Sequence, residues 1–178
     1  TNYIKKSSGQ RTINYDLDDK VDKLYDDLNA FRNSADELAH SLLEDGITAM
    51  KIWPFDLVAE KSRGLYISNC DLKKCLKPFE KIRNSVGDKI DIMVEFHSMW
   101  QLLPAIQIAR SLESFDTFWH EDPIKMDSLS SLKRYSEISK APLCASETLG
   151  SRWAFKDLLE TDAAGVIMLD ISWCGGLS

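Results

Sequence analysis

Basic charge is in short supply in this 178-residue chain: 22 Lys and Arg stand against 28 Asp and Glu, a formal net charge of −6. General attraction to nucleic acid or to an anionic membrane is thereby excluded, although a local basic pocket is not. No run of about 18 apolar residues occurs, so no membrane span is expected. The first nine residues contain no apolar signal core and no initiator Met. The four cysteines, Cys70, Cys75, Cys144 and Cys174, include no C-x-x-C pair. Reduced thiols in a cytoplasmic protein are the expectation.

A hydrophobic fraction of 44% is enough for a sizeable core, and the length suits one domain. Apolar periodicity predicts helices over 16–32, 35–44, 71–86, 100–112, 128–139 and 152–160, with a capping-box pattern at Ser34 and Glu37. Strands are predicted over 47–53, 90–95, 115–119, 143–145 and 166–169, and 1–4 is a sixth candidate. The stretch 55–67 reads as an insertion over a strand end. Alternating strands and helices imply a parallel sheet with helices packed outside it. The fold class is α/β, of the (β/α)8 TIM-barrel type. A closed barrel typically needs about 250 residues, so about six βα units, lacking the last strands, are expected in 1–178. An open doubly wound sheet is the alternative, weakened because no Gly-rich phosphate loop follows the first strand.

Carboxylates recur at the strand ends. Glu95 closes Asp91-Ile-Met-Val-Glu95, Glu121 closes the next strand 26 residues on, and Glu147 follows after another 26. A fixed period of this size marks one supersecondary unit per repeat. Active sites of parallel barrels lie at the C-terminal rim of the strands, where Asp170 also falls. Clustered carboxylates repel unless a cation neutralises them, and three leave room on an octahedral Mg2+ for water and substrate oxygens. His97, two residues after Glu95, is expected to share its face. Solvated helix caps remain the plainer explanation for any single one of these carboxylates.

The segments Gly46-Ile-Thr-Ala-Met-Lys-Ile-Trp53, Val94-Glu-Phe-His97, Glu121-Asp-Pro123, Ala145-Ser-Glu147 and Asp170 with Gly175-Gly176 together resemble the mandelate racemase and muconate lactonizing branch of the enolase superfamily. The likeness is greatest to its acid-sugar dehydratases of the galactonate type. It runs from about Ser34 to Ser178 and implies a partial C-terminal barrel domain, without the family's N-terminal capping domain. By this resemblance Glu95, Glu121 and Glu147 would hold Mg2+, although the family commonly has Asp at the first of these. His97 would be the general acid, Asp170 would orient a His base beyond residue 178, and Lys51 would contact the substrate or a neighbouring carboxylate. Trp53 stands where many relatives carry a second Lys base, and with Trp100 and Trp173 could wall the pocket. His40 and His120 read as structural.

The resemblance implies a Mg2+-dependent dehydratase of a sugar acid, acting by α-proton abstraction, an enediolate and loss of the 3-hydroxyl. A racemase, epimerase or cycloisomerase on the same metal site, or a non-catalytic metal-binding relative, stays open. The expected partner is a small carboxylate, with neither nucleic acid nor membrane, and a homo-oligomer of the full-length protein is left open.

Overall fold

The computed structural model describes residues 26–176, so the candidate strand at 1–4 and the first part of the helix expected from 16 lie outside the described residues. In chain order the elements are α1 (Asp26–Asn33), α2 (Ala35–Glu44), β1 (Ala49–Ile52), α3 (Asp56–Ser62), α4 (Asn69–Val86), β2 (Asp91–Glu95), α5 (Leu102–Leu112), β3 (Trp119–Glu121), α6 (Leu129–Ile138), β4 (Leu143–Ala145), α7 (Ser151–Glu160) and β5 (Val166–Ile167). No helix among the described residues is long and apolar enough to cross a membrane.

The five strands pair in the order β1-β2-β3-β4-β5, every pair parallel. Successive crossovers of one hand place their helices on one face of such a sheet, giving the arc of a barrel. A doubly wound sheet would instead reverse its strand order part-way. Ile52 pairs with Val94 and Val94 with His120. Side chains opposite one another in a parallel sheet point the same way, so Met50, Ile52, Ile92, Val94 and His120 form the buried face beneath the helices. The other face carries Lys51, Met93, Glu95, Trp119 and Glu121. Apolar residues on the helix side are what hold these polar residues at one rim.

Two helices depart from simple expectation. Pro78 lies buried inside α4, where it removes one helical hydrogen bond. The helix continues because Leu72, Cys75, Phe79, Ile82 and Val86 bury one face, and Ser68 caps its start by accepting from the Asp71 N–H at 3.0 Å. The stretch 55–67 contains a helix of its own, α3, anchored by Phe55, whose ring stacks on Phe96 at 5.6 Å and on Phe79 at 6.1 Å.

The strand expected over 115–119 begins later, at Trp119. Phe115 ends a short 3-10 turn and Asp116 adopts a left-handed φ of 46°. The carbonyls of both accept hydrogen bonds from the Arg83 guanidinium, at 2.8 and 3.1 Å. The same guanidinium holds the Gly87 and Ile90 carbonyls at 2.9 and 2.8 Å. One α4 side chain thus fixes where both β2 and β3 begin.

Candidate active site

The rim of β1, β2 and β3 gathers three charged side chains. Lys51 Nζ lies 3.0 Å from Glu95 Oε2 and 2.6 Å from Glu121 Oε1. Glu95 and Glu121 are register partners on adjacent strands, and both are almost wholly buried. Trp119 Nε1 donates to Glu121 Oε2 at 3.2 Å, and the backbone N–H groups of Phe96 and His97 donate to Glu95 Oε1 at 3.1 and 2.9 Å.

The electrostatics follow from one cation serving two buried carboxylates. Burial, reinforced by Glu121 alongside, raises the Glu95 pKa. Burial also pushes Glu121 up, but hydrogen bonds from Glu95, Lys51 and Trp119 outweigh it, and its pKa falls below the ordinary value. For Lys51, burial disfavours the ammonium, yet its contacts with Glu121 and Glu95 raise its pKa. The pair therefore lacks positive charge and consists of hard oxygen donors, a donor set that suits a divalent cation.

Glu147 does not join them. Glu121 pairs with Cys144 on β4, 23 residues on, so an equal spacing of 26 does not keep equal height on the rim. Glu147 stands three positions beyond the row of Glu95 and Glu121, past the end of β4 at Ala145, with its side chain exposed. The turn that follows β4 is held by Ser146, whose hydroxyl donates to Asp122 Oδ2 at 3.0 Å and pairs with Thr148 Oγ1 at 2.7 Å. Among the described residues no group of three His, Cys, Asp or Glu side chains stands close enough to hold a metal. As the side chains stand here, the rim therefore brings together two carboxylates and a lysine, with Glu147 outside that cluster.

His97 is also placed differently from the alternation expected of it. β2 ends at Glu95, and His97 and Ser98 take left-handed φ values of 50° and 55°. The imidazole consequently meets α3, with Nδ1 2.9 Å from Asp56 Oδ2. Trp53 stands edge-on to the imidazole at 6.2 Å and packs on Phe31 at 4.8 Å. Asp56 was not singled out by sequence, where it falls in the stretch 55–67 read as an insertion over a strand end and no spacing links it to His97.

Asp122 is a second addition, buried beside Glu121. Burial raises its pKa to about 7, against the lowering effect of Ser146 and with further upward pushes from Glu147 and Glu121. Asp170 is exposed, and its Oδ1 accepts from the N–H groups of Ser172 and Trp173, both at 2.8 Å. Trp173 is exposed and donates from Nε1 to the Thr148 carbonyl at 3.0 Å, while Trp100 is fully buried. His120 points into the helix layer, bonded to Tyr135 OH at 2.7 Å and Thr117 Oγ1 at 2.9 Å. His40 is exposed and pairs with Ser85 Oγ at 2.8 Å.

A rim of acidic side chains on a consecutive parallel arc agrees with a family assignment: residues 34–178 match the family described as enolase C-terminal domain-like. The chain belongs to that family. Among solved structures, an enolase of the mandelate racemase subgroup from Agrobacterium tumefaciens is 80% identical over 80% of this chain and 39% of its own, with a TM-score of 0.79. The arabinonate dehydratase of Saccharolobus solfataricus is 27% identical over 60% of this chain and 29% of its own length. The D-galactonate dehydratase of Xanthomonas euvesicatoria is 30% identical over 55% of this chain and 26% of its own. This enolase-type chain therefore spans about two fifths of the solved neighbour and less than a third of these two curated relatives.

Proposed function

We propose that this domain serves a Mg2+-dependent dehydratase of a sugar acid. The observation that carries the reading is the buried Glu95–Glu121 pair, in register on adjacent strand ends and short of positive charge. Relatives named as dehydratases of arabinonate, gluconate, galactonate and xylonate give the substrate class. Glu95 and Glu121 would hold the metal, with Glu147, exposed three positions beyond their row, as the third ligand. When bound, Mg2+ supplies positive charge to the substrate carboxylate as the neighbouring carbon gives up its proton.

Lys51 lies between the two carboxylates and would steady substrate oxygens on that side of the rim. His97 would give its proton to the departing hydroxyl, whose oxygen keeps the C–O electron pair and leaves as water. Asp170 keeps Oδ2 free of the turn that Oδ1 holds, and that oxygen would orient the base that takes the α-proton. Trp53 borders the His97 ring where a second Lys would be needed for a base on each face. Dehydration is therefore favoured over racemisation.

The test is the full-length protein, supplied with sugar acids in deuterated water, with keto-acid formation and α-deuterium uptake followed together. Mg2+ should bind in calorimetry and be required for turnover. His97→Asn should keep Mg2+ affinity and lower dehydration by roughly 10²–10⁴-fold. Absence of Mg2+ binding, or racemised substrate without keto acid, would overturn the reading.

A further inference from the structure

Asp56 is 2% exposed, in the first turn of α3. Neither carboxylate oxygen has a well-aligned hydrogen bond among the described residues, and its short contact is His97 Nδ1 at 2.9 Å. A buried carboxylate is costly and is retained where it serves a neighbouring group. Burial raises the Asp56 pKa, and the nearby His97, with Arg32 farther off, works against that rise.

The two residues are held together by the backbone on either side. Phe55 precedes Asp56 and Phe96 precedes His97, and their rings stack at 5.6 Å with an interplanar angle of 1°. At the far end of α3, Gly64 accepts from the Gln101 N–H at 2.9 Å. A Cβ at Gly64 would fall 1.9 Å from the Met99 carbonyl oxygen. The loop bearing His97 is therefore clamped to α3 at both ends. Two successive non-glycine residues in left-handed conformation, His97 and Ser98, persist only where surrounding contacts over-determine them. Here these include Ser98 N–H to Asp122 O at 2.8 Å and Phe96 N–H to Glu121 O at 3.1 Å.

We propose that Asp56 is the positioning residue of His97: its carboxylate holds the proton on Nδ1 and turns the ring so that Nε2 faces the substrate. A carboxylate behind one ring nitrogen fixes both the tautomer and the direction of the other nitrogen. Asp56 touches neither substrate nor metal and acts only through the ring. The assignment rests on the reading of His97 as the acid. When Nε2–H gives its proton to the leaving hydroxyl, the Nδ1 proton stays with the Asp56 contact and the ring ends neutral.

The experiment uses the full-length protein with 15N-labelled histidine. Long-range proton–nitrogen spectra report which ring nitrogen is protonated, and His97→Asn identifies the His97 signals by their loss. The parent should show a protonated Nδ1. Asp56→Ala should lose that state in a large part of the population, lower kcat for keto-acid formation by roughly 10–10²-fold and leave KM within about twofold. Asp56→Asn, of similar volume, should fall between the two and melt close to the parent, separating loss of orientation from loss of fold. A bare Nδ1 in the parent overturns the proposal even if every Asp56 variant misfolds, and so does an Asp56→Ala protein with a protonated Nδ1 and parental kcat. A His97→Asn protein that dehydrates like the parent overturns the acid reading instead, and the Nδ1 signal then still reports whether Asp56 orients the ring.

Discussion

The two halves of the strand-end rim differ sharply in how they treat acidic side chains. Over β1 to β3, Glu95 and Glu121 are buried, share Lys51, and have three further hydrogen bonds from backbone and Trp119. Over β4 and β5, Glu147 and Asp170 are exposed, and Asp170 is occupied by its own turn. The rim sequence is similar in both halves, a short apolar strand followed by a carboxylate. What separates them is cover and counter-charge. α3 pairs with the 96–101 loop beside the first half and Lys51 supplies the cation, whereas no cation meets Glu147 or Asp170 among the contacts described above. A strand-end carboxylate becomes part of a cluster only when a neighbour in register shields it and a positive group meets it.

Removing the counter-charge is the strongest way to break this contrast. Lys51→Met leaves two buried carboxylates unpaired. Breaking a buried ion pair costs about 3–5 kcal/mol, and the 37% exposure of the Lys51 side chain brings the expected loss to about 2–3 kcal/mol in chemical denaturation at pH 7. Saturating Mg2+ should recover part of it. A loss below about 0.5 kcal/mol would mean that Lys51 is not what lets the first half close.

Acid probes the same half from behind. Burial lowers the His120 pKa from 6.5 to about 3. Between those values the unfolded chain binds a proton that the folded chain refuses, so stability falls as pH drops below 6.5, by about 1.4 kcal/mol per unit. At pH 5 the loss should be about 2 kcal/mol, and His120→Gln should remove that slope from the stability–pH curve. An unchanged slope would show that other groups govern acid sensitivity. The smallest effects belong to the open half: Glu147→Gln and Asp170→Asn should each change metal-free stability by about 0.5 kcal/mol or less. Glu147→Gln should nevertheless weaken Mg2+ binding in calorimetry by about tenfold or more. Equal Mg2+ affinity in this variant would confine the metal site to the closed half.

Much of the fold was legible because period and punctuation agreed. The helix over 35–44 and the strand over 143–145 have the bounds their patterns imply, and Gly46 follows α2 with a left-handed φ of 78°. The candidate site was legible by residue type and less so by height. Equal spacing along the chain placed Glu147 with its fellows, yet the β3–β4 connection is shorter than the β2–β3 connection by three residues at the rim. β3 was placed too early because the hold of Arg83 on Phe115 and Asp116 is a tertiary contact with no local signature. Asp56 stayed hidden for the same reason, since its pairing depends on a left-handed turn at His97 that alternation does not foresee.

The missing side chain at Gly64 has a consequence for building chimaeras within this family. With Met99 O occupying the space a methyl group would need, the α3 segment and the loop after β2 behave as one part with a single tight joint. A grafted 53–64 segment would have to bring its own 96–101 loop with it, and position 64 is where mismatched halves would collide first.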